Sequence, residues 1–176
     1  MRTVAIALRA MTCSVALIVA PCASFADDQS CIGFNWPVDT EVGWMSAADA
    51  DTVQSGATIA AAPAKAVVLT LKPSKSETLP VMSGVKKQAV GGDSFSGWFK
   101  IGNIEKAGLY QVSLSRDGWI DVAQNGKLTD STGFTGRREC AVLRKSVRYE
   151  LATGETLIQI VGSPTETIKV TIKPAN

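Results

Sequence analysis

The chain has 176 residues, with 18 Lys and Arg against 16 Asp and Glu, four cysteines and no histidine. Lack of histidine excludes Ser-His-Asp and Cys-His nucleophile pairs, histidine general bases and histidine metal ligands together. The near balance of charge lacks the electrostatic footprint of a nucleic-acid binder or a membrane-adhering protein.

Residues 1–26 read as a secretory signal peptide. Arg2 and Arg9 supply positive charge, an apolar stretch follows from Ala10 to Ala20, and Ser24-Phe25-Ala26 offers small residues at the two subsites a signal peptidase reads. The apolar run is too short to span a membrane. Cleavage is expected after Ala26, giving a secreted or periplasmic protein. Pro21 stands where a lipoprotein signal needs a small residue before Cys22, which argues against lipidation. The leader takes two of the 18 cations with it, so the remainder is neutral overall. Cys13 and Cys22 leave as well, and Cys31 and Cys140 remain. An even pair in an oxidising compartment predicts one structural disulfide.

Residues 27–64 read as an N-terminal segment with a short helix packed on the main domain. Ser46 is placed to cap a helix over Ala47 to Gln54, and Gly56 to end it. Trp36 and Trp44 flank Pro37 and are expected to pin this segment to a sheet near the disulfide. From Lys65 the hydrophobic period becomes two, and residues 65–176 read as a β-sandwich domain. Val67, Leu69 and Leu71 share a face. Leu79 and Val81 mark a short edge piece beside Pro80. Phe95, Phe99 and Ile101 oppose Trp98 and Lys100, and Tyr110, Val112 and Leu114 oppose Gln111, Ser113 and Ser115.

Asp117-Gly118 and Asn125-Gly126 carry the chemistry of two-residue hairpin turns, because both residues of each pair tolerate positive φ. A Gly- and Thr-rich loop is expected to lead through Arg137 and Arg138 to Cys140. Leu143, Val147, Tyr149 and Leu151 then point inward, with Arg144, Ser146, Arg148 and Glu150 outward. Leu157 to Val161 reads as a strand buried on both faces. Ile168, Val170 and Ile172 close the domain, and the alternating Lys169, Thr171 and Lys173 suit an edge. Eight or nine short strands at this spacing predict an all-β fold: an antiparallel β-sandwich of jelly-roll or Greek-key type with a short N-terminal helix.

Phe99-Lys100-Ile101, the run Ala107 to Ser115, Ile120-Asp121-Val122 and the run Ala152 to Ile160 together resemble the bacterial pre-peptidase C-terminal domains, over roughly Glu77 to Lys173. The resemblance implies a small secreted β-sandwich that serves secretion, localisation or substrate and polysaccharide contact without catalysis. The family's aspartate pair is echoed in part by Asp117 and Asp121.

The candidate ligand residues are Trp98, Trp119 and Asp121. Both indoles fall on the outward parity of their strands, where an exposed ring stacks on a sugar and Asp121, Lys100 or Asn125 would bond its hydroxyls. The competing reading buries either indole beneath the N-terminal segment. Asp117 and Asp121 alone fall short of the six or more oxygens calcium takes, and no metal or cofactor is expected. Arg137, Arg138, Arg144, Lys145 and Arg148 read as a solvated face with local ion pairs, or else as a contact for an acidic polysaccharide, a lipid headgroup or a partner protein. Ser83-Gly84-Val85-Lys86 has the Ser-x-x-Lys spacing of penicillin-recognising enzymes but sits in a loop without their other motifs. The function expected is a non-catalytic exported β-sandwich that binds cell-envelope material or a partner protein. The alternatives are a carbohydrate-binding module using exposed tryptophan, and an inhibitor or accessory subunit presenting Thr132 to Arg138.

Overall fold

A computed structural model of the protein describes residues 31–85 and 93–175. The expected leader and its cleavage point lie outside the described residues, as does Lys86. Among the described residues twelve strands and one helix follow in the order α1 Asp39–Ser46, β1 Asp51–Gln54, β2 Ala57–Ala61, β3 Val67–Thr70, β4 Lys72–Pro73, β5 Phe95–Ile104, β6 Gly108–Leu114, β7 Trp119–Gln124, β8 Lys127–Leu128, β9 Ser131–Gly136, β10 Lys145–Leu151, β11 Gly154–Ser163 and β12 Thr167–Pro174. They form two sheets. Sheet A has the order β1-β3-β12-β6-β10-β9, and sheet B the order β2-β5-β11-β7-β8, with β4 also on β5.

The inward sets named by period-two alternation meet, between the sheets, residues of β7 and of β11, which is buried on both faces over residues 157–161. Leu69, Val112, Leu114, Val170 and Ile172 of sheet A face Phe99, Ile101, Val122, Ile158 and Ile160 of sheet B in one buried cluster. The fold is therefore an all-β, sandwich-like one. The sheets are mixed rather than wholly antiparallel, because β1 runs parallel to β3 and β2 parallel to β5. Both parallel strands come from one short excursion, β1-turn-β2, which adds an edge to each sheet and closes that side of the sandwich.

Several local expectations are corrected. The helix lies eight residues earlier than expected. Its first turn holds Asp39 and Glu41, which suit the positive end of a helix, and Ser46 ends it instead of capping it. Asp51–Gln54, expected as helix, pairs with Val67–Thr70 as a strand, so tertiary pairing and β-branched Thr52 and Val53 outweigh the capping signal. Gly56, with φ +96°, serves the β1–β2 turn.

Asp117-Gly118 makes no hairpin. β6 lies in sheet A and β7 in sheet B, so this link carries the chain across the sandwich. Gly118 is needed there for close passage: a Cβ would stand 3.1 Å from Ile160 Cγ2. Asn125-Gly126 does form the expected turn, with φ of 51° and 72°, between β7 and β8. The Gly- and Thr-rich stretch is strand β9, not a loop. Leu79 and Val81 belong to no strand. Strand β12, expected at an edge, is central between β3 and β6.

The outer faces of both sheets are covered, which explains why the polar alternates are buried. On sheet A, α1 and its flanking segment pack with Cys31, Phe34, Trp36, Trp44, Cys140 and Leu143 in a second apolar cluster. The Cys31–Cys140 disulfide, across 109 residues of sequence, anchors that layer as expected. Trp36 Nε1 donates to Ser146 Oγ at 3.3 Å, and the Arg148 guanidinium lies 4.3 Å from the Trp36 ring centroid. Glu41 accepts from Gln111, and Lys169 Nζ donates to the carbonyls of Met45 and Ala47 at the helix's negative end. On sheet B, residues 81–84 lie across the outer face: Gln159 accepts from Val81 N–H and donates to Val81 C=O at 3.0 and 3.1 Å.

Candidate functional site

Sheet A ends at β9 and sheet B at β8. On this side no strand excursion among the described residues closes the sandwich as β1 and β2 do on the other. A cleft of about 480 Å³ opens here, among Trp119, Leu128, Phe134, Lys145, Val147 and Tyr149, with Asp121, Thr129, Asp130 and Ser131 also on its walls. That volume suits a small ligand or one group of a larger one.

The apolar part of the wall is exposed. Trp119 is 44% accessible, Leu128 38% and Phe134 68%. These are three of the five large apolar side chains exposed among the described residues, and they surround one opening. Phe134 is the register partner of Val147 on β10, so its ring falls on the inward side of sheet A but extends past the last covering strand.

Asp121, 5% exposed, is a fully engaged acceptor. Its Oδ1 takes the Trp119 indole N–H at 2.8 Å and the Gly84 N–H at 3.3 Å, and its Oδ2 takes the Ser83 hydroxyl at 2.5 Å. One carboxylate thus fixes the edge of the Trp119 ring and ties residues 83–84 to sheet B. Ser83, half of the Ser-x-x-Lys spacing, is used in this strut.

Lys145 precedes Val147 and Tyr149 on β10 at the same parity, so it points into the cleft. Its Nζ lies 5.9 Å from the Trp119 ring centroid, a distance at which the ring's negative face attracts a cation. No carboxylate stands within 4.0 Å of that nitrogen among the described residues. Burial holds the Lys145 ammonium below the ordinary lysine range; Asp117 opposes the shift and Arg144 adds to it. Tyr149 donates its hydroxyl to Ile120 C=O at 3.0 Å, and burial, with Asp121 next in effect, pushes its phenol well above the usual tyrosine range.

A stability prediction follows for Lys145. Its proton is held less tightly folded than unfolded, so the wild type carries a penalty that is full below the folded pKa and vanishes above about 10.5. Asp117, Asp121, Asp130, Arg144 and Tyr149 surround the site and are common to wild type and variant. Lys145→Met is expected to raise stability at pH 7, and the gain should shrink as pH rises towards 10.5. Urea denaturation at several pH values reads it. A loss of stability at pH 7 in Lys145→Met would contradict it.

The expected ligand residues do not form one platform. Trp98 on β5 and Asp121 on β7 are both register partners of Gln159 on the intervening β11. Val81 sits on Gln159, so residues 81–84 separate the Trp98 surface from the Trp119 surface. Trp98 is half-buried beside the β1–β2 turn, where its carbonyl accepts the Gly56 N–H. Asp117 and Asp121 turn to different partners, Asp117 to Arg144 at 2.8 Å.

The basic concentration also divides. Arg137 donates to the Gly33 carbonyl, Arg148 covers Trp36, and Lys145 enters the cleft. Lys145, Leu128 and Phe134 were not singled out as cleft residues from the sequence. For Lys145 the signal was present, in its shared parity with Val147 and Tyr149. For Phe134 it was hidden by the turn-like composition of β9.

Among the described residues no three His, Cys, Asp or Glu side chains stand together as a metal site, and no helix is long and apolar enough to cross a membrane. No family model, curated protein or solved structure matches this chain.

Proposed function

We propose that this chain works after export as a non-catalytic binding protein, and that it holds cell-envelope material or a partner protein at the cleft between β7–β8 and β9–β10. The observation that carries the reading is the gathering of Trp119, Leu128 and Phe134 around one opening. Exposed apolar side chains scattered singly need no explanation, whereas a rimmed cluster marks a contact surface. The resemblance of residues 77–173 to pre-peptidase C-terminal domains leans the same way, and the Cys31–Cys140 disulfide is compatible with an extracytoplasmic location.

A carbohydrate reading is favoured by one feature. The Trp119 indole has its N–H tied to Asp121 and its ring partly open, beside the hydroxyls of Thr129 and Ser131 and the carboxylate of Asp130. A ring held still at one edge loses little entropy on stacking against a sugar. Trp98 is outside this version of the site.

The test is retention on insoluble envelope preparations and on a glycan array. Trp119→Ala and Phe134→Ser should each reduce retention at least tenfold, and Trp98→Ala should leave it near wild type. Retention that is lost with Trp98→Ala and kept with Trp119→Ala would move the site to the opposite end of sheet B.

A further inference from the structure

The geometry points to a cleft that selects a carboxylate borne on an apolar body, with the Lys145 ammonium as the contact for the anion. This rests on the proposed reading of the cleft as a binding site and adds the chemistry of what enters it.

The first argument is placement. Lys145 takes the inward parity of β10, and the residue opposite it on β9 is Gly136, which has no side chain to cover it. The ammonium therefore reaches the cleft instead of the solvated outer face. The second is the lack of an internal counter-ion. Among the described residues Nζ has neither an ion pair nor a hydrogen-bond partner.

Of the carboxylates around it, Asp117 is paired with Arg144 and Asp121 is held by Ser83, Gly84 and Trp119, while Asp130 lines the same cleft but stands more than 4.0 Å from the ammonium. A part-buried lysine whose contact is the face of an indole, with no counter-ion among the described residues, is a cost to the folded chain. Depressed basicity of the same amine agrees with that cost. An incoming carboxylate removes it, and gains more there than at an open surface because water screens less.

The third argument is the wall opposite the charge. Trp119, Leu128 and Phe134 present rings and branched carbons within the same opening. They offer area to an apolar body and little to a bare inorganic anion. A neutral apolar ligand gains only the wall, and an inorganic anion gains only the ammonium, so a molecule with both parts is preferred over either.

Titration of the ¹⁵N-labelled protein with 2-naphthoate and with its neutral isostere 2-naphthamide, followed at the Trp119 indole N–H, tests this. Decanoate in a third arm distinguishes an aliphatic body from an aromatic one. Naphthoate or decanoate should shift the Trp119 signal, and naphthoate should bind at least tenfold tighter than naphthamide at low ionic strength. Lys145→Gln should bring that ratio to about one, and Lys145→Arg should restore it. Equal affinity of the two naphthyl compounds in the wild type overturns the anion assignment while leaving the cleft as a site, as does a preference that survives in Lys145→Gln. If none of the three compounds moves Trp119, the cleft reading falls with it.

Discussion

Removing the Cys31–Cys140 bridge should lower stability by about 4–5 kcal/mol, the largest effect expected from any covalent change in this chain. The bridge closes a loop with 109 residues of sequence separation, and the chain-entropy argument assigns a cost of that size to opening one so long. The structural consequence is specific. Cys31 and Cys140 belong to the apolar cluster that binds α1 and Trp36 to the outer face of sheet A, distinct from the core between the sheets.

Under reduction that layer should loosen first. Backbone amides of Val42 and Ala47, bonded to the Val38 and Gly43 carbonyls at the two ends of α1, should exchange with solvent before those of β11. Urea unfolding of the oxidised protein, the reduced protein and the Cys31→Ser, Cys140→Ser variant reads the size. A loss under about 1 kcal/mol would mean that the N-terminal layer is held without the bridge.

Asp121→Ala should cost about 2–3 kcal/mol and should free residues 83–84. Three donors lose one common acceptor: Ser83 Oγ–H, Gly84 N–H and Trp119 Nε1–H. Bonds to an ionised acceptor are the stronger kind. Gly84 and Trp119 are exposed enough to recover water, which limits the loss. Asp121→Asn keeps an acceptor oxygen and should cost about half as much.

Hydrogen exchange separates the consequences. The Gly84 amide should lose protection in Asp121→Ala, whereas the Val81 amide, held by Gln159, should keep most of its own. The same variant should weaken ligand retention, since the Trp119 ring loses the bond that fixes its edge. Wild-type stability with wild-type protection at Gly84 would show that Asp121 is no strut.

The inner faces of this fold were readable from residue order alone. Phe99, Ile101, Val112, Leu114, Val170 and Ile172 alternate with other residues at period two, and that alternation survives any pairing of the strands. Pairing itself was less legible. Asp117-Gly118 has hairpin chemistry, yet the flanking strands join different sheets, because packing partners far away in sequence decide where a strand lies.

The outer faces misled for a related reason. Gln111, Ser113 and Thr171 look like solvated positions and are buried under α1 and its neighbours. Gln159 is likewise buried, beneath Val81. Polar residues can be buried when they bond a covering segment, and alternation does not reveal that a cover exists.

Part of the candidate site was legible in the same way. Trp119 and Asp121 share a face by parity, and the structure joins them directly. Trp98 shares the parity too, but the segment at Val81 lies between, which no local pattern signals. Lys145 was grouped with its basic neighbours by sequence proximity, although strand alternation sends it to the opposite side from Arg144 and Arg148. Phe134 needed knowledge that β9 is an edge strand, since an inward-facing ring is exposed only where no further strand covers it.

Hydroxyl-radical footprinting of the protein free and bound to an envelope preparation that retains it tests the central claim directly. Trp119, Leu128 and Phe134 should lose reactivity on binding, while Ile32, exposed on the N-terminal layer, and Trp98 should keep theirs. Protection centred on Ile32 or Trp98, with Phe134 as reactive bound as free, would contradict the account.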